Sequence, residues 1–308
     1  MMNKKIIKQI AGWLIAAVIL YFLARTIHSN WAELENWEWR VDPLYAVLTV
    51  IFLGGAYLAA CQGWRTILRG FGHNIKLHES FRVVYLANLG RYIPGKIWQV
   101  IGMVGLAKEV KVPAKTSLAS FALVQAYALP ASFLLVLIFL GGFDMPDSLA
   151  VYSNIIYIFM AAVFLLFLVL FLWPDGLDWA LNKILKIFKQ EPVGYKPTTG
   201  NRVAIFLWYI VTWILFGLSF HFFLKALIAE MPMDVIFGAG VYIAAYNLGY
   251  IALISPGGLG VREGVMTLLL AAPLGQPVAA SIALIHRVLI TIAEAIISLL
   301  ALLTYKLK

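Results

Sequence analysis

The chain has 308 residues, 62% of them hydrophobic and 13% charged, with a mean hydropathy of +0.88. A soluble domain averages about 45–50% apolar and about 25% charged, so this composition excludes a water-soluble enzyme and reads as a polytopic membrane protein. At about 20 residues per crossing, several spans fill the length and no sizeable catalytic domain fits beside them. The balance of 24 Lys and Arg against 15 Asp and Glu, net +9, is read as cytoplasmic loop charge facing anionic lipid rather than as a nucleic-acid footprint.

Lys4, Lys5 and Lys8 precede an apolar run over 10–23 that has no small-x-small cleavage site before His28, so a retained first span is predicted, amino end inside. The loop 29–42 carries Glu33, Glu35, Glu38 and Asp42 against Arg40, with Trp31, Trp37 and Trp39 as an interfacial belt, and is assigned outside. A span over 44–64 then empties into Arg65, Arg69, Lys76 and Arg82 inside. Cys61, the single cysteine, falls in that span, so no internal disulfide forms and the thiol reads as packing. The segment 81–106 is apolar but broken at Pro94-Gly95, with basic residues on both flanks, which predicts a re-entrant hairpin from the cytoplasm. Spans follow over 116–140 and 150–173, then a basic loop where Leu181, Ile184, Leu185 and Phe188 recur at helical spacing as a surface helix. A span over 203–228 leads out to Glu230 and Asp234; 235–272, broken at 255–258, is predicted as a hairpin dipping from outside, and 278–305 returns inward.

The order span, span, hairpin, span occurs twice with directions reversed. The predicted fold is therefore all-α: about six spans and two re-entrant hairpins in an inverted-topology repeat, halves 1–149 and 150–308 of one membrane domain, both termini cytoplasmic. Taking the hairpin arms as full crossings gives about eight spans instead, against which arms such as 261–272 are short beside the about 17–25 residues a span needs.

Polar signals concentrate at the two breaks. NLGRYIPGKIW supplies Asn88, Arg91, Pro94, Gly95 and Lys96, and NLGYIALISPGGLGVREG supplies Asn247, Pro256, Gly257, Gly258, Arg262 and Glu263. Backbone opened at membrane depth must be buried in protein or line a wet cavity, since hydrocarbon offers it no partner. Helices are expected to restart near Lys96 and Leu259, turning free N–H groups and a cation toward the midplane; that combination is an anion site, and a lipid phosphate is the anion at hand. Arg287 and Glu294 lie two turns apart on one face of the last span, so the expected pairs are Arg262 with Glu294, and Glu263 with Arg287 or Arg91. Blander roles compete: Asn88 and Asn247 as caps, Arg91 as a shallow anchor, Gln125 and Pro130 in a kinked packing helix, Gly54-Gly55 and Gly238-Ala239-Gly240 as close packing surfaces. The five histidines lack metal-ligand spacing, and no dinucleotide, P-loop or hydrolase motif is present, so no cofactor, metal or catalytic residue is expected.

On NLGRYIPGKIWQV at 88–100, SPGGLGVREG at 255–264 and, more weakly, GWRTILRGFG at 63–72, the chain resembles the lysylphosphatidylglycerol synthase transmembrane family, also called flippase-like. That family includes the membrane half of the bacterial multiple peptide resistance factor. The resemblance implies translocation or delivery of lipids or lipid-linked intermediates, and by position implicates Arg91, Lys96, Arg262 and Glu263. No aminoacyl-transferase domain follows Lys308, so lysyl-lipid synthesis is not carried over. The leading expectation is a transporter, not an enzyme, that moves an anionic lipid head group across the cytoplasmic membrane. Its partner is then a phosphate-bearing membrane lipid, with no nucleic acid. One alternative is a scaffold for a separately encoded lipid-modifying enzyme; another is a membrane-embedded transferase with Glu263 as base, for which the inside loops offer no donor site.

Overall fold

The computed structural model describes residues 39–92, 97–141, 147–173, 175–187, 191–228, 230–252 and 255–306, with 21, 25, 28, 29, 31–35 and 37 before them. The predicted first span, Tyr21 apart, and Pro94, Gly95, Lys96 and Phe188 lie outside the described residues. After a short helix at Trp31–Glu35, the main helical elements among the described residues are α1 (Pro43–Gly70), α2 (Leu77–Asn88) running into a 3-10 turn (Leu89–Tyr92), α3 (Ile97–Glu109), α4 (Ala114–Leu140), α5 (Asp147–Leu172), α6 (Gly176–Ile187), α7 (Thr199–Leu227), α8 (Val235–Ile251), a second 3-10 turn (Pro256–Gly258), α9 (Val261–Leu274) and α10 (Gln276–Lys306). Among the described residues α1, α4, α5, α7 and α10 are long and apolar enough to cross a membrane. The chain is an all-α polytopic membrane protein.

Local chemistry sets the ends. Asp42 Oδ1 accepts from the amides of Leu44 and Tyr45 at the start of α1, Thr198 Oγ1 from Asn201 at α7, and Asp234 Oδ1 from Phe237 at α8. Arg202 closes α5 from the other end, donating to the carbonyls of Phe171 and Trp173 at 2.7 and 3.1 Å.

The central pair is α1 on α7, which run antiparallel along their whole length. At one end Asp42 N donates to Ala226 O and Trp39 bridges Ile228; at the other Lys196 N donates to Gly70 O. Between them Gly63 admits the Tyr209 ring, which a Cβ there would meet at 3.1 Å, and Ser219 Oγ donates to Thr49 O at 2.9 Å. Around this pair the neighbours recur: α2 packs on α3 and α10 as α8 packs on α9 and α4, and α3 lies on α4 as α9 lies on α10.

The hairpin arms are 12, 13, 17 and 14 residues for α2, α3, α8 and α9. At about 1.5 Å per residue these reach about 18–26 Å, short of the about 30 Å hydrocarbon core. Their tips meet: a Cβ on Gly257 would lie 4.0 Å from Arg91 O and 3.8 Å from Arg287 at the middle of α10. In α6 Leu177, Leu181 and Leu185 are buried while Ile184 and Ile187 are exposed; of the expected stripe, Leu181 and Leu185 thus pack inward, Ile184 does not, and Phe188 lies outside the described residues. Gly54-Gly55 is corrected in part: a Cβ on Gly55 would meet Leu215 of α7 at 3.5 Å, an ordinary packing distance, while nothing stands within 4 Å of Gly54. Gly240 is the close contact, where a Cβ would meet Leu140 at 2.7 Å.

In a Cys61→Ala background, single cysteines replacing the exposed Pro232 and Gln276 should react with an impermeant thiol reagent from one side of the membrane, and one replacing Lys196 only from the other. Labelling of Gln276 from the side of Lys196 would make α8 and α9 an odd number of crossings rather than a hairpin.

Candidate functional site

The two breaks, α10 and the middle of the α1, α4 and α7 bundle enclose a cavity of 210 Å3. Asn88, Arg91, Asn247, Gly257, Gly258, Arg262 and Glu294 line it. Local backbone puts them there. Gly257 and Gly258 take φ of +59° and +73°, left-handed values that other residues resist, and a Cβ on Gly258 would sit 2.9 Å from Gly249 O. The chain therefore reverses tightly against the end of α8, and α9 starts with Arg262 over Gly249, where a Cβ would meet Arg262 Cβ at 3.1 Å. Gly260, φ +80°, caps α9, and its amide donates to Glu263 Oε2 at 2.6 Å.

Five charged side chains gather at the tips, and four pair. Arg91 Nη2 holds Glu294 Oε1, tying the first break to α10. Arg287 Nε lies 3.6 Å from Glu263 Oε1, tying the second break to the same helix. Arg262 is the fifth. It is 6% exposed, its Nε has no hydrogen-bond partner, and no carboxylate pairs with it among the described residues. Its guanidinium lies 4.2 Å from the centroid of the Tyr246 ring, a cation–π contact that steadies the charge without neutralising it. Trp213 meets Tyr246 edge-on at 5.1 Å. Asn247 Oδ1 accepts from Ser132 Oγ at 2.9 Å while its amide donates to Ile243 O, and Asn88 Oδ1 accepts from Gln99 Nε2 at 2.6 Å across the first break.

The family described as lysylphosphatidylglycerol synthase TM region matches residues 9–298. The chain belongs to that family. A search of curated proteins returns no relative. The cavity lies where the described parts of the two motifs, 88–92 and 255–264, come together.

The expected pairings need one correction. Glu294 takes Arg91, not Arg262, because the 3-10 turn after α2 brings Arg91 beside α10 while Arg262 points to α8. Glu263 does pair with Arg287, but both lie behind the cavity with His286 in a sealed cluster and do not line it. Pro256 begins the second tip turn, and α9 begins at Val261, two residues past the expected Leu259. Pro94, Gly95 and Lys96 fall outside the described residues. Sequence reasoning missed the aromatic wall: Tyr57, Tyr209, Trp213, Tyr242, Tyr246 and Tyr250. The spacing Tyr209, Trp213, Phe216 and the pair Tyr242, Tyr246 at helical intervals carried that signal, which is hard to tell from ordinary core packing.

Removing one partner of a buried pair leaves an orphaned charge, at a cost of about 3–5 kcal/mol. Arg91→Met should therefore lower the thermal midpoint in detergent markedly, and Arg91→Met with Glu294→Gln should recover most of the loss. Arg262→Met removes a charge that no carboxylate balances among the described residues, so its midpoint should hold or rise.

Proposed function

We propose that the protein translocates an anionic lipid head group across the cytoplasmic membrane, with the phosphate held by Arg262 between the two hairpin tips and both termini cytoplasmic. The observation that carries this is the buried Arg262 guanidinium, paired with no carboxylate among the described residues, on the wall of the cavity between the two tips. A lone Arg at a helix centre costs about 2.5–3.5 kcal/mol on insertion scales, and the first turn of α9 adds free N–H groups and a positive dipole end to the same spot. A phosphodiester supplies the missing negative charge.

The family supports a lipid-related role, and the packing supports the means. The antiparallel α1 and α7, the exchange of neighbours between α2 with α3 and α8 with α9, and tips that touch at mid-depth fit an inverted repeat, α1–α4 against α7–α10. Such a repeat offers two pseudo-equivalent openings on opposite faces of one site. The transferase alternative is disfavoured by the placement of Glu263: its Oε2 accepts from Gly260 N, its Oε1 lies 3.6 Å from Arg287 Nε, and the residue does not line the cavity. A scaffold for a lipid-modifying enzyme would have no use for an unpaired arginine facing a cavity.

In liposomes bearing labelled phospholipids, Arg262→Met should cut transbilayer flux of an anionic lipid at least tenfold, the loss of about one charge-assisted hydrogen bond. Arg262→Lys should restore part of it, since an ammonium contacts phosphate without the guanidinium fork. Unchanged flux in Arg262→Met at an unchanged thermal midpoint would refute the site.

A further inference from the structure

We infer that α6 is a docking surface for an anionic lipid leaflet, and that by lying on it the helix braces the loop fastened to the end of α1. This does not rest on the phosphate reading of Arg262, and the partner is the membrane surface rather than a transported molecule.

Two sides of α6 are already taken. With a helical turn every 3.6 residues, Leu177, Leu181 and Leu185 form one side and are buried in the core. Asp178 and Asn182 form the next and hold the loop that follows. Asp178 Oδ1 accepts from Tyr195 N at 2.9 Å, and Asn182 bonds both the amide and the carbonyl of Val193. That loop in turn grips α1: Lys196 N donates to Gly70 O, and a Cβ on Gly70 would meet the Tyr195 ring at 2.6 Å.

The third side is Trp179, Lys183, Ile184, Lys186 and Ile187, all of them exposed, Ile187 by 74%. A helix that turned this side to water would carry polar residues throughout. Here two isoleucines and a tryptophan stand among the lysines, and an apolar patch rimmed by charge marks a contact with a membrane or a partner.

Continuity selects the membrane. Trp173, directly after α5, meets Trp179 with ring centroids 5.6 Å apart. The last turn of α5 before it exposes Val169 and Leu172, on a span with only 11% of its apolar window buried. A membrane-crossing helix so little covered by protein faces lipid, and the open side of α6 carries that surface on past the end of the span, where tryptophan borders hydrocarbon. Charge then selects the lipid. Lys183 Nζ stands over the Trp179 ring at 4.7 Å, and Lys186 shares that side, while Asp178 is turned away to the loop and Asp175 lies before the helix begins. Apolar residues beside lysines on one helix suit an anionic interface, where each cation near the surface adds attraction.

Lipid nanodiscs holding one protein each test this, made of phosphatidylcholine alone or mixed with phosphatidylglycerol, with the same lipids on both faces. In a Cys61→Ala background, an environment-sensitive fluorophore on Ile187→Cys should emit at shorter wavelength in the phosphatidylglycerol discs. High salt, which screens surface charge, should remove the difference, as should Lys183→Gln with Lys186→Gln. Hydrogen exchange at the amides of Val193 and Tyr195 should slow about fivefold in the same discs, the worth of one lysine at an anionic surface, and the double variant should lose that protection. Emission that ignores phosphatidylglycerol would overturn the anionic assignment, and a shift without slowed exchange would overturn the bracing of the loop. A fluorophore that stays in water in the discs but is shielded in crowded liposomes would give the face to a second copy of the chain, and the lipid proposal would fall.

Discussion

Two ion pairs hold the breaks in place, Arg91 with Glu294 and Glu263 with Arg287, and both end on the same helix. Opened backbone inside a membrane has no water to fall back on, so the tips must be clamped to something continuous. α10 provides the post. Because Arg287 and Glu294 stand two turns apart near its middle, the two tips are fixed at neighbouring heights and in contact, and the cavity is the space left between them and the bundle. Loosening either pair would release a helix start as well as a charge.

Close packing does the complementary work. Gly249 and Gly258 let the returning chain lie directly on α8, and Gly63 lets α1 approach the Tyr209 ring. Lipid tails are as apolar as the helices themselves, so association in the membrane relies on such small-residue contacts and on hydrogen bonds between helices. The bonds from Trp64 to Ser120, Tyr85 to Tyr57 O and Ser132 to Asn247 are of this kind. They cluster around the cavity rather than at its lipid-facing rim, which leaves the wall polar in a region where polarity is expensive.

The arrangement links energetics to motion. On the proposed transport reading, a site made of two tips on one post, between helices that run in opposite directions, would be uncovered from either side by small rocking of its flanks, and an occupant that balances the Arg262 charge would lower the cost of carrying it through the closed form.

Much of this was written in the chain itself. Composition alone dictates a membrane protein, because so few charges among so many apolar residues cannot coat a soluble surface. The arms are legible because Pro94-Gly95 and Pro256-Gly257-Gly258 break the apolar sequence next to polar residues, whereas Pro130 and Pro273 sit inside continuous helices. The two motifs mark the site because polar residues in apolar sequence are retained only at a cost. The pair Glu263 with Arg287 was among those expected, but the partner of Glu294 was not legible: Arg91 and Glu294 are 203 positions apart, and only the turn after α2 decides that Arg91, rather than Arg262, reaches α10. Nor was the aromatic wall, since Tyr and Trp at helical spacing look the same whether they pack or line a space. Tertiary structure alone decides that, because a cavity is defined by what the surrounding helices fail to fill.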